Sequence, residues 1–181
     1  ESIRRTNFHV SKTISRYRWT AIVNKKKLVE KILAQLIAEL ELYYKAAKAS
    51  HEEATHEQNK AENKYDTRGL EAAYLAGGQA KQAAETELTI KEFRKLAVKK
   101  FGTKDRIDLS ALVELQSPTE TNHYFIAPRG GGIEVTSGKK EIFVITPQSP
   151  LGQQLMGRVE GEKLSFKIGP TTEHYTIAAV A

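Results

Sequence analysis

Three carboxylates lie in a short polar stretch between two long helical patterns, at Glu62, Asp66 and Glu71. Carboxylate oxygens are preferred ligands of Mg²⁺, which also keeps water and phosphate oxygens in its coordination shell. Asp66 and Glu71 could therefore supply oxygen ligands to a Mg²⁺ ion that another molecule holds. The structural alternative is that Asp66 caps the following helix and Glu71 lies in its first turn, where the helix dipole favours negative charge. The spacing of these residues leaves both interpretations open.

The other residues that could do chemistry do not form a recognisable site. Residues 128–132, Pro-Arg-Gly-Gly-Gly, lack the Lys-Ser or Lys-Thr ending and the following helix of a phosphate-binding loop, so a turn between strands is expected. Among the scattered histidines, His51 and His56 would point about 140° apart on a helix, which argues against a shared metal ion. Nothing in the sequence predicts an enzyme with its own enclosed active site.

Composition limits the classes of protein to which the chain can belong. Its 181 residues contain no cysteine, which excludes disulfides, thiolate zinc sites and cysteine nucleophiles. No apolar run approaches the roughly 18 residues of a membrane span, and a cytoplasmic location is expected. The formal net charge is +6, but residues 1–23 hold five basic residues against one acid, so most of the excess lies there. We expect this segment to be a basic extension outside the fold. No basic surface is predicted for the folded part of the chain.

Two helical patterns predict an antiparallel hairpin over residues 24–100, with its tip near residues 62–71. The first begins at Asn24, a candidate N-cap, and runs towards Lys60, a length of about 55 Å. Its apolar stripe is Leu28, Val29, Ile32, Leu33, Leu36, Ile37, Leu40 and Tyr43. The stripe expected in the second helix is Leu70, Tyr74, Ala76, Ala80, Ala84, Leu88, Ile90, Phe93 and Leu96. Two such stripes can bury each other as a coiled coil, which would be basic at its root and acidic towards its tip.

A second domain is predicted at residues 107–181, after a linker at residues 101–106. Residues 107–114 alternate between apolar and polar, which is typical of a half-buried strand. The inward-facing side chains of this strand would be Ile107, Leu109, Ala111 and Val113. Further strands are expected at residues 123–127, 134–136, 141–145, 162–168 and 174–180.

One short helix is expected between these strands, at residues 151–156. Ser149 is a candidate N-cap, and Pro150 suits the first helical position because its φ is already helical. Gly157 is expected to end the helix. A few strands with one short helix indicate a small α+β domain.

The sequence of residues 144–166 resembles the signature of the Gre transcript-cleavage factors, the GreA/GreB family. It reads V-I-T-P-Q-S-P-L-G-Q-Q-L-M-G-R-V-E-G-E-K-L-S-F, and it is similar in its strand, its Ser-Pro-Leu-Gly helix start, its Leu-Met-Gly end and its Gly-Glu turn. The order of parts agrees over residues 24–181. The resemblance implies an α+β protein in which an N-terminal antiparallel helical hairpin, a coiled coil, precedes a small FKBP-like antiparallel β domain with one short helix.

The resemblance also implies a partner and a mechanism. Gre factors bind RNA polymerase through the C-terminal domain and insert the hairpin into its secondary channel, beside the 3′ end of the nascent RNA. Acidic tip residues then help to hold a Mg²⁺ ion shared with the polymerase, which activates water to cut backtracked RNA. The best candidates for these metal-assisting acids are Asp66 and Glu71. The polymerase is the enzyme, and this chain would act as a monomer that completes its active site.

Docking on the polymerase is expected at the short helix, because the family binds through this domain. The residues expected to form the docking segment are Ser149, Pro150, Leu151 and Gly152. A prolyl isomerase is a further alternative, since the resemblance implies an FKBP-like domain.

The tip departs from the family pattern, Asp-Leu-x-Glu-Asn-x-Glu-Tyr, in which the Asp and the first Glu are three residues apart. Asp66 and Glu71 are five apart, although Tyr74 resembles the Tyr that ends the pattern. On a helix this spacing would point the two carboxylates away from each other, so joint metal binding requires a loop through Arg68 and Gly69. A Gre-like regulator that binds polymerase without stimulating cleavage is therefore an alternative function.

Overall fold

A computed structural model of the chain describes residues 24–55, 68–168 and 171–181. Helix α1 spans Lys25–Thr55, and helix α2 spans Arg68–Lys95. The elements that follow are β1 (Leu112–Gln116), β2 (Thr121–Ile126), β3 (Glu134–Ser137), β4 (Lys140–Ile145), α3 (Pro150–Leu155), β5 (Lys163–Ile168) and β6 (Thr171–Val180). The predicted fold class, a helical hairpin followed by a sheet domain with one short helix, is confirmed. The predicted extension at residues 1–23 lies outside the described residues.

Contacts divide the chain into two compact units. One is Leu33–Arg94, which holds most of α1 and α2. The other contains Lys95–Ala181 together with the start of α1, up to Ile32. The sheet and α3 therefore share a unit with the first turns of α1.

Asn24 caps the start of helix α1, as the sequence predicts. The Asn24 side-chain oxygen accepts hydrogen bonds from the backbone N–H groups of Lys26 at 3.0 Å and Lys27 at 3.2 Å. A cap of this kind satisfies N–H groups that have no partner within the helix and is worth about 1 kcal/mol. The described part of α1 ends at Thr55, and the predicted continuation towards Lys60 lies outside the described residues.

In the unit Leu33–Arg94, α1 and α2 pack along a narrow line of buried and half-buried residues. On α1 this line is Leu33, Leu36, Leu40, Tyr43, Ala47 and Ser50, and on α2 it is Ala72, Ala76, Gln79, Ala83, Thr86, Ile90 and Phe93. Spacings of three and four alternate, which is the coiled-coil repeat. Beside the line, the Tyr44 hydroxyl on α1 donates a hydrogen bond to the Glu87 carboxylate on α2.

The apolar stripe predicted for α2 is wrong in part. Leu70, Tyr74 and Leu88 are exposed, by 58%, 74% and 44%. The buried line passes instead through small residues such as Ala72 and Ala83. Because α2 is rich in alanine and glycine, its large apolar side chains do not mark one face, and packing against α1 selects which alanines are buried.

The strands form one mixed sheet in the order β3-β4-β2-β1-β6-β5. Four of its five strand pairs are antiparallel, as predicted, but β2 and β4 are parallel, with Tyr124 opposite Phe143 and Ile126 opposite Ile145. A parallel pair needs a crossover connection between its strands, and β3 with the glycine-rich turn before it provides that connection. The five later strands lie where the sequence predicts, with ends that differ by up to three residues.

The first predicted strand starts later than the alternation of its residues suggested. Residues 107–111 lie outside β1, which begins at Leu112, and both Leu112 and Val113 are fully buried. Ser110 interrupts the strand because its backbone adopts φ of 69°, a left-handed conformation that residues other than glycine rarely adopt. Leu112 is buried because both faces of the sheet are covered at its centre, which removes the alternation between apolar and polar side chains.

Contacts from two other segments hold Ser110 in this conformation. The Ser110 hydroxyl oxygen accepts a hydrogen bond from the Lys99 N–H at 2.9 Å, and its carbonyl accepts one from Lys25 Nζ at 3.0 Å. Lys25 Nζ also donates to the Lys99 carbonyl and lies 4.8 Å from the centroid of the Phe101 ring. Burial lowers the pKa of Lys25 to about 8, although the carbonyl oxygens and the ring face favour the ammonium form. Ser110 thus joins the start of α1, the linker and the entry to β1.

An apolar cluster covers one face of the sheet. Its buried members are Ile107, Ala111, Val113, Leu115, Ile126, Leu155, Leu164, Tyr175, Ile177 and Val180. Because successive side chains of a strand point to opposite faces, Leu112 and Phe125 lie on the other face, where they are also fully buried.

A cluster of charged residues continues that second face along β1. Glu114 lies opposite His123, and Glu114 Oε2 is 3.2 Å from His123 Nε2 and 3.3 Å from Lys140 Nζ. The Glu114 side chain is 14% exposed and the His123 side chain 9%. The hydrogen bond with His123 and the positive charge of Lys140 hold the pKa of Glu114 below its usual value, in opposition to burial.

We expect the substitution Glu114→Gln to lower the free energy of unfolding by about 1 to 2 kcal/mol at neutral pH, because charged hydrogen bonds are lost. The lowered pKa means that this stabilisation is present above the unfolded-state pKa near 4.5 and is lost as the pH falls through the folded-state value. Urea denaturation of both proteins across this range measures the difference, which should shrink in acid. A difference that stays constant with pH would contradict the role of the ionised carboxylate.

Candidate functional site

Glu71 is the described member of the predicted acidic tip. It lies in the first turn of α2 and is exposed. A carboxylate at this position is favoured by the helix dipole, as the structural interpretation expects. Asp66 and Glu62 lie outside the described residues, so the predicted pair of Asp66 and Glu71 stays a prediction.

The backbone before Glu71 does not form the loop that joint metal binding was expected to need. Arg68 and Gly69 are the first residues of α2, so the helix already includes both positions. Leu70 and Tyr74 beside Glu71 are exposed by 58% and 74%. The described start of α2 therefore presents one carboxylate among exposed apolar side chains.

The described residues contain no group of three or more His, Asp or Glu side chains placed to hold a metal ion. Glu71 can supply one carboxylate to such an ion, and further ligands would have to come from elsewhere. None of the described helices has the length and apolar character that crossing a bilayer requires.

The segment Ser149, Pro150, Leu151 and Gly152 forms the start of helix α3. The Ser149 hydroxyl oxygen accepts a hydrogen bond from the Gly152 N–H at 3.1 Å and donates one to the Thr146 carbonyl at 2.8 Å. Pro150 occupies the first turn, where its missing N–H costs nothing. The predicted N-cap and first-turn proline are thus confirmed, and they fix the direction of the chain as it leaves β4.

Gly152 lies against the backbone of the preceding turn. A Cβ atom at this position would be 1.9 Å from the Thr146 carbonyl oxygen, a distance that no side chain can tolerate. Gly152 is buried, and Leu151 packs against the apolar cluster of the sheet. Only glycine therefore allows α3 to lie this close to the end of β4.

The solvent-facing part of this segment is smaller than the predicted docking residues. Of those four, Pro150 is exposed, Ser149 and Leu151 are half-buried, and Gly152 is buried. Gln153 and Gln154, which are not among the predicted docking residues, are exposed next to them. The helical period predicts the exposure of these two glutamines, because Leu151 and Leu155 lie on the inner face of the helix.

The helix ends at a glycine, as predicted. Gly157 has φ of 77°, which suits a residue without a side chain. The Arg158 guanidinium then donates from Nε to the Gln154 carbonyl at 2.6 Å and from Nη1 to Glu162 Oε2 at 3.2 Å. These bonds hold the turn between α3 and β5.

An open depression of about 310 Å³ lies beside the end of β1, the start of β5 and the middle of β6. Its lining is Gln116, Ser117, Pro118, Lys163, His174, Tyr175 and Thr176. The Tyr175 hydroxyl donates to Glu173 and lies 3.1 Å from Glu120 Oε1, and the hydrogen bond with Glu173 raises the pKa of Tyr175. No observation on this depression tests the isomerase alternative, which stays a prediction.

Comparisons with known proteins return solved structures only. Neither a known family profile nor a curated protein sequence matches the chain. GreA factor homolog 1 (Gfh1) of Thermus thermophilus aligns over 82% of this chain and 94% of its own, with 20% identity and a TM-score of 0.36. Thermus aquaticus Gfh1 aligns over 83% of this chain and 92% of its own, with 24% identity and a TM-score of 0.35. The prokaryotic transcription elongation factor GreA/GreB from Nitrosomonas europaea aligns over 65% of this chain and 94% of its own, with 17% identity and a TM-score of 0.33.

These proteins carry the names of Gre factors or of a Gre factor homologue.

Replacing Gly152 with alanine should destabilise the unit that contains the sheet, because the new Cβ would lie 1.9 Å from the Thr146 carbonyl oxygen. Overpacking costs about 3 kcal/mol, which exceeds the roughly 1 kcal/mol that alanine gains over glycine inside a helix. Urea denaturation followed by fluorescence or circular dichroism gives the change. Gln154→Ala, an exposed change on the same helix, is the control and should alter stability by less than about 0.5 kcal/mol. Equal stability of Gly152→Ala and the parent protein would show that the close approach does not exist.

Proposed function

We propose that this chain is a Gre-type factor that binds bacterial RNA polymerase, places the end of its helical hairpin in the secondary channel and stimulates cleavage of backtracked nascent RNA. The observation that carries the proposal is the signature at residues 144–166. Ser149 caps α3, Pro150 suits its first turn, and Gly152 occupies a position that only glycine allows. The signature residues therefore have structural roles in this chain, which a chance similarity of sequence would not be expected to give them.

The hairpin supports the delivery of a carboxylate into a cavity of another protein. Its two helices bury a coiled-coil line over Leu33–Arg94, so the hairpin is stabilised by its own packing. Glu71 is exposed in the first turn of α2, where the helix dipole favours negative charge. Asp66 precedes it in the sequence and is proposed as the second acid.

In the proposed complex the polymerase supplies the reacting RNA and its own catalytic metal. Asp66 and Glu71 would hold a shared Mg²⁺, which when bound lowers the pKa of water and stabilises charge on the phosphate oxygens. The chain itself contributes negatively charged oxygen atoms and their position. Pro150, Gln153 and Gln154 form the exposed edge of α3 that is available for docking on the polymerase.

A second candidate is a Gre-like regulator that occupies the same channel without stimulating cleavage. The observation that favours it is the start of α2 at Arg68, because the helix includes Gly69 where joint binding of metal by Asp66 and Glu71 was expected to need a loop. The five-residue spacing of the two acids points in the same direction. Both candidates share the polymerase as partner and differ in the fate of the RNA.

Halted elongation complexes with labelled RNA distinguish the two candidates. If the chain stimulates cleavage, it should shorten the RNA in the presence of Mg²⁺, and Glu71→Gln should reduce the rate by about 10- to 100-fold, as loss of a group that tunes a metal site does. Glu41→Gln, an exposed change on the hairpin away from the tip, is the matched control and should cleave at the parent rate.

Binding must be measured in the same samples, by co-sedimentation of the chain with polymerase. Intact RNA with the chain bound would reject cleavage and favour the regulator. Absence of binding to the polymerase would reject both candidates.

A further inference from the structure

Two adjacent glycines, Gly77 and Gly78, lie inside helix α2, well after its start at Arg68. A Cβ atom built on either glycine meets no described atom within 4 Å outside the backbone of α2 itself, so no described neighbour requires a residue without a side chain. Neither glycine has a positive φ, and both continue the helix. Glycine disfavours the helix because it loses the most backbone freedom on folding. The pair therefore weakens α2 at this point, and no contact with a described residue outside the helix compensates for it.

The part of α2 before these glycines has little packing of its own. Among the described side chains of residues 69–76, Ala72 alone is buried, whereas Leu70, Tyr74 and Leu75 are exposed by 58%, 74% and 56%. The part after the glycines contains Ala83, Thr86, Ile90 and Phe93, all of them buried. A helix shorter than about 12 to 15 residues is marginal by itself in water, and residues 68–76 fall below that length.

We infer that Gly77 and Gly78 divide α2, and that residues 68–76, here called the leading segment, open and re-form as a unit together with the two glycines while the rest of the helix stays folded. Two features locate the division at the glycines: the low helix propensity of the pair and the change from exposed to buried apolar side chains on either side of it. Glu71 lies on the leading segment, so its position can change without unfolding of the remaining hairpin. This inference concerns the chain alone and does not depend on the proposed function.

Native-state amide hydrogen exchange tests the inference on the intact chain. The first four N–H groups of a helix have no intrahelical partner, so the informative amides of the leading segment are those of residues 72–76. They should exchange faster than the amides of residues 83–93. The double variant Gly77→Ala and Gly78→Ala should slow their exchange by about 25-fold, or about 5-fold for each glycine, because alanine stabilises the helical form of the segment that opens.

The same measurements separate the inference from simple alternatives. If residues 72–76 only fray from the helix end, opening does not include the glycines, and the double variant leaves their exchange unchanged. If α2 opens only as a whole, the amides of residues 72–76 in the parent protein exchange no faster than those of residues 83–93. Either result would overturn the inference. Lys81→Ala, an exposed change in the same helix that keeps both glycines, is the control and should change exchange in residues 72–76 by less than about 2-fold.

Discussion

The close approach of two backbone segments at Gly152 and Thr146 determines how helix α3 joins the sheet. The chain leaves β4 at Ile145 and turns at once, so the first turn of α3 lies directly against the Thr146 carbonyl. Ser149 uses its hydroxyl to bond both sides of that contact. Since the turn is fixed by bonds of its own, α3 has a single direction in which to continue.

The direction of α3 decides what the rest of the sheet unit can bury. Leu155 at the end of the helix is fully buried in the apolar cluster over β1 and β6. Immediately afterwards the Gly157 N–H donates to the Ile107 carbonyl at 2.9 Å, and the Ile107 N–H donates to the Arg158 carbonyl at 2.8 Å. The segment before β1 is thereby tied to the segment before β5. The close contact at Gly152 thus directs α3 so that Leu155 enters the core and the segments before β1 and β5 meet.

The hairpin has a different physical basis, because its buried line changes in composition along its length. Ile90 and Phe93 are large side chains whose burial stabilises by about 1.5 to 3 kcal/mol each, whereas the alanines at positions such as Ala72 contribute far less. Small residues let two helices approach closely but provide little apolar area. The part of the hairpin that carries Glu71 is therefore the part that its own packing holds least. A site that depends on Glu71 would obtain its final geometry from the surface it meets.

The sequence by itself determined the features that depend on neighbouring residues in the chain. Asn24 and Ser149 as caps, Pro150 in a first turn and Gly157 as a helix end follow from hydrogen bonding and φ preferences over four residues, and all are found where predicted. The coiled-coil class and most strand positions follow from periodicity in the same way. Glu71 in the first turn of α2 is also a local result.

Only the tertiary structure decided the features that depend on remote partners. The buried face of α2 was mispredicted because the choice among its alanines is made by α1, and the late start of β1 follows from contacts of Ser110 with Lys25 and Lys99. The parallel pairing of β2 with β4 and the meeting of Glu114 with Lys140 require a strand register that no local pattern contains. The reason is physical: a cap is satisfied within one turn of the chain, whereas burial and cross-strand contact are properties of two segments that the sequence does not place side by side.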